Sequence, residues 1–512
     1  MESRSKKSAR NIATGFAGRL VMLIFAFVTK TIFIRLLGAE YNGVSGLYSN
    51  ILSILSLSEL GIGNVLNYSL YQALNEKNEL KIRSLVYYFK KIYIAIAIAI
   101  FMIGLLLLPV LPYIVNSSLP YKELAVYYLL YLLNSVVSYF VVYKTTVISA
   151  DQNSYIITLC DTISTLVMYI IQIVYLMIFH NFIGYLLIQV MCTIIRNAVL
   201  NCIAEKKYPY LKVKQVDKYT FDRRKIIDNI KSTFIYKIST VALNNIDNIL
   251  ISVMVSTVAV GYYSNYWMIV SFIGAFVSAF ILGITASLGN LNARNDKEAS
   301  FQMFSILMLI FNFIGTVVAC CFLNCIQVFI PVWIGKECVM PFSWVIVIVF
   351  NNYLNQIMNP CWMFVETMGL FREVRYLMPI SALLNLIFSV ILGQKFGVPG
   401  ILIATQLAKL FSEYWYEPRI LFRKKFQQSE LKFYAKQLKQ MTISLFTMIT
   451  TYLVCKMLPE TFGWIFVRAI FCTVFALIVV WVTNRNSIEW KMIYDRYIVK
   501  CKKIIKEKMC KL

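Results

Sequence analysis

Lysine and arginine residues that interrupt long apolar runs are the side chains in this sequence best suited to chemistry. They are Arg19, Lys30, Arg35, Arg196, Lys231, Lys237, Lys409 and Arg468. A charge inside a membrane is costly unless it faces water or a partner. Arginine binds phosphate oxygens through its planar fork, and lysine binds them as a point charge. Cations in such runs therefore predict a hydrated site for an anion.

Arg19, Lys30 and Lys237 are the cations that we expect to line this site. Arg19 and Lys30 are eleven residues apart, so in one helix they lie within about 20° of each other. Lys237, Asn244 and Asn248 follow at i, i+7 and i+11, which again is one helix face. A water-filled cavity lined by the three cations is the simplest arrangement that hydrates them.

Polar residues in the same runs predict further lining of the cavity. Asn50 and Asn64 align in the second run, and such side chains suit the hydroxyl groups of sugars. Glu59 lies on the face opposite Asn50, where it is either an ion-coupling group or an internal partner for a cation. Asp247 is the second candidate for coupling to H+ or Na+. Pairing with Lys237 is its alternative role, although about 15 Å separate the two along one helix.

Other cations have a simpler explanation. Arg35, Arg196, Lys231 and Arg468 lie close enough to the ends of their runs for us to expect them to snorkel to the interface. Carboxylates inside the runs are few, and no two of them form a close pair suited to acid–base work.

The elements that carry these residues are apolar runs of about 20 residues or more, enough to cross a hydrocarbon core of roughly 30 Å. Apolar residues make up 59% of the chain and charged residues 15%, with a mean hydropathy of +0.68. These values predict an all-α polytopic membrane protein with about 14 transmembrane helices. The predicted spans are 11–36, 42–72, 84–114, 122–149, 154–178, 182–204, 228–255, 258–289, 300–332, 340–365, 373–394, 399–422, 437–457 and 463–484.

The net charge of +25 is spread unevenly along the chain. With the N-terminus inside, inner segments hold about 38 Lys and Arg residues and outer turns about four, which follows the positive-inside rule. The basic excess therefore predicts cytoplasmic termini and contact with membrane lipids, and it is not a sign of nucleic-acid binding. Residues 485–512 form a Lys-rich tail with apolar residues at helical spacing, which predicts an amphipathic helix on the inner surface.

An internal repeat relates the two halves of the chain. Gly46-Leu-Tyr-Ser-Asn50 begins the second span and Gly261-Tyr-Tyr-Ser-Asn265 begins the eighth, and two further matches keep nearly the same offset. Two parallel six-helix lobes with a substrate between them are a transporter plan. We therefore predict an N-terminal lobe with its basic linker at 1–225 and a second lobe at 226–425. Two extra transmembrane helices and the basic tail follow at 426–512.

Motifs for enzymatic chemistry are missing from the sequence. It has no GxxxxGK[ST], GxSxG or HExxH motif, so neither an ATP-driven motor nor a hydrolase is expected. The 12 cysteines include no CxxC pair, and His180 is the single histidine. Neither a metal site nor a Cys/His dyad is therefore predicted. We expect no cofactor and no catalytic residue.

Several segments resemble bacterial polysaccharide-transporter flippases. In the first half they are Phe33-Ile-Arg-Leu-Leu-Gly38-Ala-Glu-Tyr41, Gly46-Leu-Tyr-Ser-Asn50-Ile-Leu and Leu57-Ser-Glu59-Leu-Gly61-Ile-Gly63. In the second half they are Asp247-Asn248-Ile-Leu-Ile251 and Gly261-Tyr-Tyr-Ser-Asn265-Tyr. These proteins, often called O-antigen or Wzx-type flippases, belong to the multidrug/oligosaccharidyl-lipid/polysaccharide exporter superfamily.

The resemblance implies a bacterial cytoplasmic-membrane flippase that moves an undecaprenyl-pyrophosphate-linked oligosaccharide repeat unit by alternating access. Such a protein serves the biosynthesis of a surface polysaccharide: O-antigen lipopolysaccharide, capsule or exopolysaccharide. The implied partners are this lipid-linked oligosaccharide, a polysaccharide polymerase and chain-length machinery.

The resemblance also implies that Arg19, Lys30 and Lys237 hold the pyrophosphate. The family often has Arg followed by Thr where this chain has Lys30-Thr31, a change that keeps the charge but loses the bidentate fork. The alternative within the superfamily is an ion-coupled drug/cation antiporter. Its substrates would favour acidic residues, whereas the first span carries cations.

Overall fold

The described part of the chain is mostly helical. The computed structural model describes residues 4–56, 62–212, 226–227, 241, 243, 245–292 and 296–494. This part contains no strand, and the predicted all-α polytopic class is confirmed. Its first helices are α1 (Arg4–Leu37), α2 (Ala39–Leu55), α3 (Ile62–Asn75), α4 (Glu79–Leu106), α5 (Leu111–Ile114), α6 (Tyr121–Ala150), α7 (Ser154–Phe179), α8 (Phe182–Lys207) and α9 (Asn245–Met254).

The later helices follow in the same way. They are α10 (Thr257–Asn292), α11 (Lys297–Ile334), α12 (Phe342–Thr367), α13 (Phe371–Val374), α14 (Leu377–Phe396), α15 (Val398–Phe411), α16 (Glu413–Ile420), α17 (Glu430–Lys456), α18 (Phe462–Asn484) and α19 (Ile488–Ile493). Within the described residues, eight segments are long and apolar enough to cross a membrane: Glu79–Ile114, Tyr121–Ala150, Ser154–Phe179, Phe182–Lys207, Thr257–Thr285, Lys297–Ile334, Arg372–Phe396 and Phe462–Asn484. The protein is therefore a multi-pass membrane protein.

One predicted span is divided between two helices, and another is described only in part. Of the span 42–72, the structure describes α2, Ser56 and α3, and residues 57–61 lie outside the described part. The span 399–422 consists of α15 and α16, which meet at Ser412 with φ −122° and ψ −73°. The Ser412 hydroxyl donates to the carbonyl oxygen of Ala408 at 2.7 Å, and such bonds often bend helices.

Two other predicted elements lie largely outside the described residues. Of the span 228–255, the structure describes α9 and residues 241 and 243. Of the basic tail, it describes the residues up to Tyr494. The chain divides into unit 1, Met1–Ser264, and unit 2, Asn265–Leu512.

Unit 1 has a tyrosine-rich core where α2 meets α6. Tyr48 and Tyr128 are fully buried, and their ring centroids are 5.4 Å apart. The Tyr48 hydroxyl donates to the carbonyl oxygen of Leu124 at 2.9 Å, and the hydroxyls of Tyr131 and Ser45 share a hydrogen bond of 2.6 Å. Buried hydroxyls are costly unless they are hydrogen-bonded, so these bonds fix α2 against α6.

A glycine seam joins α2 to the first turns of α10, which belong to unit 1; its residues are Ala39, Gly43, Thr257 and Gly261. A Cβ atom added at Gly43 would lie 2.0 Å from the carbonyl oxygen of Thr257. One added at Gly261 would lie 2.2 Å from that of Ala39. Only glycine permits this backbone contact. Gly46 and Gly261 open the two copies of the repeated motif. A Cβ atom added at Gly46 would lie 2.8 Å from Ser264 Oγ of the second copy, so these parts of the two copies lie side by side.

The loop between α5 and α6 closes one end of this seam. Ser117 Oγ and Ser118 N each donate to Glu40 Oε1 at 2.6 Å. The backbone nitrogen of Thr257 donates to the carbonyl oxygen of Asn116 at 2.9 Å. Hydrogen bonds therefore tie together this end of unit 1, which the charge distribution predicts to be the outer one.

Unit 2 has an aromatic core that includes the π-helical turn Leu421–Phe426. Phe304 on α11 is fully buried, and its ring centroid lies 5.3 Å from that of Phe364 and 5.2 Å from that of Phe426. Phe433 on α17 completes the cluster at 5.8 Å from Phe304. Aromatic packing of this kind fixes α11, α12 and α17 around the turn.

Candidate functional site

Lys30 is a half-buried cation near the end of α1. Its Nζ atom lies 5.8 Å from the centroid of the Phe33 ring, a distance at which cation–π attraction acts. Among the residues that the structure describes, Lys30 has no ion pair and no hydrogen bond. Lys30 lies in the predicted span 11–36, where a lysine without a counter-charge is costly. Its ammonium group is therefore suited to water or an anionic ligand.

Arg19 stands three turns before Lys30 on the same continuous helix. The two positions share nearly one face and are about 16 Å apart along the axis. Helix α7 packs beside α1, where a Cβ atom added at Gly18 would lie 2.7 Å from the Thr162 hydroxyl oxygen. The side chain of Arg19 lies outside the described part. The backbone supports the predicted stripe, and the contacts of Arg19 stay a prediction.

Helix α2 presents a row of polar side chains. Asn50 is half-buried, and its amide donates to the carbonyl oxygen of Gly46 at 2.6 Å. The hydroxyls of Ser49 and Ser53 donate to the carbonyl oxygens of Ser45 and Ser49 at 2.8 and 2.7 Å. These bonds use the hydroxyl hydrogens and leave oxygen lone pairs, which can accept hydrogen bonds from sugar hydroxyls.

Helix α9 carries two more of the predicted site residues, Asp247 and Asn248. Asn248 Oδ1 is buried and has no hydrogen-bond partner within the described part of the chain. Asp247 interacts electrostatically with Tyr263 on α10. A buried amide oxygen without a partner costs free energy, which a bound ligand or ion would offset.

The predicted site residues are therefore described only in part. Lys237, Asn244, Glu59 and Lys231 lie outside the described residues, as do the side chains of Arg19 and Asn64. Lys30, Asn50, Asp247 and Asn248 have described side chains and lie on three helices of unit 1, α1, α2 and α9.

The segment that carries these positions also identifies the family. A model of the polysaccharide biosynthesis protein family, Polysacc_synt, matches residues 8–282, more than half of the chain. The chain belongs to the polysaccharide biosynthesis protein family. This match confirms the resemblance drawn from the sequence motifs. No curated protein matches the chain.

Solved structures show which fold this polysaccharide biosynthesis protein adopts. Lipid II flippase MurJ in an inward closed conformation matches with a TM-score of 0.66 and 15% identity, over 93% of this chain and 99% of that one. An inward-facing multidrug resistance MATE family transporter of the MOP superfamily has a TM-score of 0.60 and 12% identity, over 78% and 94%. A mutant of the Vibrio cholerae MATE transporter VcmN has a TM-score of 0.55 and 14% identity, over 82% and 98%. The chain therefore has the fold that these flippases and transporters share.

Two cations of this family member have partners that the sequence did not reveal, and for the buried Arg468 the prediction of snorkelling is wrong. Arg196 Nε lies 2.6 Å from Asp161 Oδ1, between α8 and α7. Arg468 is 5% exposed and donates to the carbonyl oxygens of Asn324 at 3.0 Å and Leu458 at 2.8 Å. The bonds of Arg468 offset the cost of leaving water, so this side chain does not need to reach the interface.

Sequence reasoning also missed a buried pair of carboxyl groups in unit 2. Glu413 and Glu417 stand one turn apart on α16 and are 7% and 5% exposed. Glu413 Oε1 has no hydrogen-bond partner in the described part of the chain. The sequence analysis overlooked this pair, and the expectation that no carboxylate pair in the runs is suited to acid–base work stays a prediction. The i, i+4 spacing of Glu413 and Glu417 inside the predicted span 399–422 was the available signal.

Proposed function

We propose that this protein is a flippase that moves an undecaprenyl-pyrophosphate-linked oligosaccharide repeat unit from the inner to the outer leaflet of the cytoplasmic membrane. The family match and a fold shared with lipid II flippase MurJ support transport of a lipid-linked molecule. The observation that carries the proposal is Lys30, a cation in a span without a counter-charge among the described residues. The process served is biosynthesis of a surface polysaccharide: O-antigen, capsule or exopolysaccharide.

In this proposal Lys30, Arg19 and Lys237 bind the pyrophosphate. A pyrophosphate diester is an anion that cannot enter an apolar region alone, and lysine and arginine provide the donors that its oxygens accept. The position of Arg19, three turns from Lys30, lets the anion pass from one cation to the other along one helix face. Alternating access then exposes the same face to each leaflet in turn.

The polar row on α2 has a separate role in this scheme. Asn50 and its neighbouring serines accept hydrogen bonds from sugar hydroxyls, and Asn64, Asn244 and Asn248 extend the lining. Glu59 and Asp247 are the proposed sites for a coupling proton or sodium ion. The flipped repeat unit would then pass to a polysaccharide polymerase and its chain-length machinery.

An ion-coupled drug/cation antiporter is the second candidate. The similarity to the fold of MATE transporters and the buried Glu413 and Glu417 favour it. An organic cation would be attracted by those carboxyl groups and repelled by Lys30. The flippase therefore needs the positive charge of Lys30 for transport, whereas the antiporter needs the carboxyl groups of Glu413 and Glu417.

Neutralising Lys30 tests the proposal in a host whose own copy of the gene is deleted. Lys30→Gln is expected to abolish surface polysaccharide and to cause the lipid-linked repeat unit to accumulate, because the pyrophosphate loses its cation. Lys30→Arg should retain export, and the double variant Arg19→Ala, Lys30→Ala should be as severe as Lys30→Gln. Lys77→Gln, which removes the same charge from an exposed loop position, is the matched control.

Immunodetection in the membrane fraction shows whether each variant inserts. Normal polysaccharide in the inserted double variant would contradict the role of the two cations. Loss of drug resistance in Glu413→Gln, with polysaccharide intact in every variant, would favour the antiporter instead.

A further inference from the structure

A basic pocket of about 160 Å³ lies in unit 1, at the end where α4 begins and α6 and α8 end. The charge distribution predicts this end to be the inner one. The pocket is lined by the charged residues Arg83, Lys90, Lys144, Glu205 and Lys212, by Tyr87, Tyr143 and Tyr210, and by Val86 and Leu211. It is distinct from the predicted cavity residues on α1, α2 and α9.

The charges of this basic pocket do not balance. Glu205 is the single carboxylate in its lining, and it is engaged by Lys144, which also donates to Asn201. Arg83 and Lys90 have no ion pair among the described residues, and Arg83 Nε is buried without a hydrogen-bond partner. Like charges gathered without counter-charges repel each other, so the lining is suited to an anion.

The side chains that line the pocket are suited to binding a phosphate group. Arginine offers a planar fork, lysine a point charge and tyrosine a hydroxyl donor, which together suit the oxygens of a phosphate group. Lys144 is held in place, because its Nζ atom lies over the Tyr143 ring at 5.9 Å and pairs with Glu205.

A second layer of contacts positions the turn Pro209–Lys212, which carries Tyr210 and Lys212. The Tyr208 hydroxyl donates to Asp151 Oδ2 at 2.9 Å, and the ring centroids of Tyr208 and Tyr210 are 5.9 Å apart. These contacts preorganise this wall of the pocket, which lowers the entropy cost of binding a ligand.

We propose that the basic pocket binds a phosphate group at the inner membrane surface. Two sources of that group are compatible with its chemistry, the headgroup of an anionic phospholipid and free phosphate. Basic pockets between membrane helices are known to recognise lipid headgroups. The proposal does not depend on the transported substrate, because none of these residues belongs to the proposed transport site.

The test measures phosphate binding by the purified full-length protein in nanodiscs. Wild type is compared with the double variant Arg83→Gln, Lys90→Gln, and with the control Lys77→Gln, Lys206→Gln, which loses the same charge from positions outside the pocket. The probes are phosphatidylglycerol titrated into phosphatidylcholine nanodiscs and, separately, inorganic phosphate. The pocket variant is expected to bind about tenfold more weakly or worse, and the control to bind as wild type does.

The two probes separate the sources. Binding of phosphatidylglycerol without binding of inorganic phosphate identifies a lipid headgroup, and the reverse identifies free phosphate. Equal binding by all three proteins, or an equal loss in both double variants, would overturn the proposal. Without either probe, the pocket variant should melt at the same or a higher temperature than wild type, because repulsion between cations is relieved. That measurement distinguishes lost binding from a misfolded variant.

Discussion

The side-chain amide of Asn42 donates a hydrogen bond of 2.9 Å to the carbonyl oxygen of Gly261, which lies 219 residues further along the chain. Asn42 is fully buried beside the glycine seam, one residue from Gly43. Gly261 opens one copy of the repeated motif and Asn42 lies four residues before the other copy, so the bond joins two segments related by the repeat. This end of unit 1 is thus closed by close backbone packing and by buried hydrogen bonds.

We expect Gly43→Ala to destabilise the protein. Its new Cβ atom would lie 2.0 Å from the carbonyl oxygen of Thr257, a distance that forces α2 and α10 apart. Gly274→Ala on α10 is the control, because its Cβ atom meets nothing within 4 Å and a helical Gly→Ala change is favourable by about 1 kcal/mol. The melting temperature of the purified protein should fall for Gly43→Ala and should stay the same or rise for Gly274→Ala. Equal melting temperatures of the two variants would show that α2 and α10 can move apart at the glycine seam without loss of stability.

Acid is expected to weaken the end of unit 1 that Glu40 holds. Burial acts to raise the pKa of Glu40, but the hydrogen bonds from Ser117 and Ser118 outweigh it and lower that pKa below its ordinary value of 4.5. The stabilisation is therefore present above about pH 4.5 and is lost as the pH falls through the lower folded value. Melting temperatures measured against pH should show this loss in wild type and a smaller one in Glu40→Gln. Identical pH profiles would assign the acid sensitivity to other groups.

The pair Arg196–Asp161 should respond to single and double substitution differently. Arg196→Leu leaves the Asp161 carboxylate without its cation, which we expect to cost about 1–2 kcal/mol, because both side chains are about one-third exposed. Arg196→Leu combined with Asp161→Leu should recover most of that loss, since no lone charge remains. Chemical denaturation in detergent compares the three proteins. A double variant less stable than the single one would contradict an ion pair as the cause.

Arg468 is expected to stabilise unit 2 through the carbonyl groups that it binds. Arg468→Leu removes the donors to Asn324 and Leu458 and should cost about 2–4 kcal/mol. Arg468→Lys should recover only part of this, because lysine has no planar fork. Arg485→Leu at the exposed end of the same helix is the control. Denaturation midpoints that fall equally in Arg468→Leu and Arg485→Leu would refute a special role for the buried guanidinium.

Periodicity and length predicted the helical class, because an apolar run of about 20 residues has few alternatives in a membrane. They did not predict the break at Ser412, where the hydroxyl donates a hydrogen bond to the carbonyl oxygen of Ala408. The face of a helix can be derived from spacing, and the continuous α1 agrees with the stripe that contains Arg19 and Lys30. The contacts of that stripe with a ligand stay predictions.

Partners across the chain were beyond sequence reasoning. Arg196 pairs with Asp161, and Arg468 binds Asn324, over separations of 35 and 144 residues. Spacing within one helix says nothing about which neighbouring helix packs there. The buried Glu417 was missed for the same reason, because its burial depends on the packing of α16 rather than on the residues beside it.

The glycine seam also limits how this chain can recombine with its relatives. The segments around Gly43 and Gly261 are far apart in the gene but touch backbone to backbone. A chimera that takes each segment from a different parent would join two surfaces that were never selected to fit. We expect functional chimeras to take both segments from the same parent. The two segments, although distant in the gene, would then have to be exchanged together.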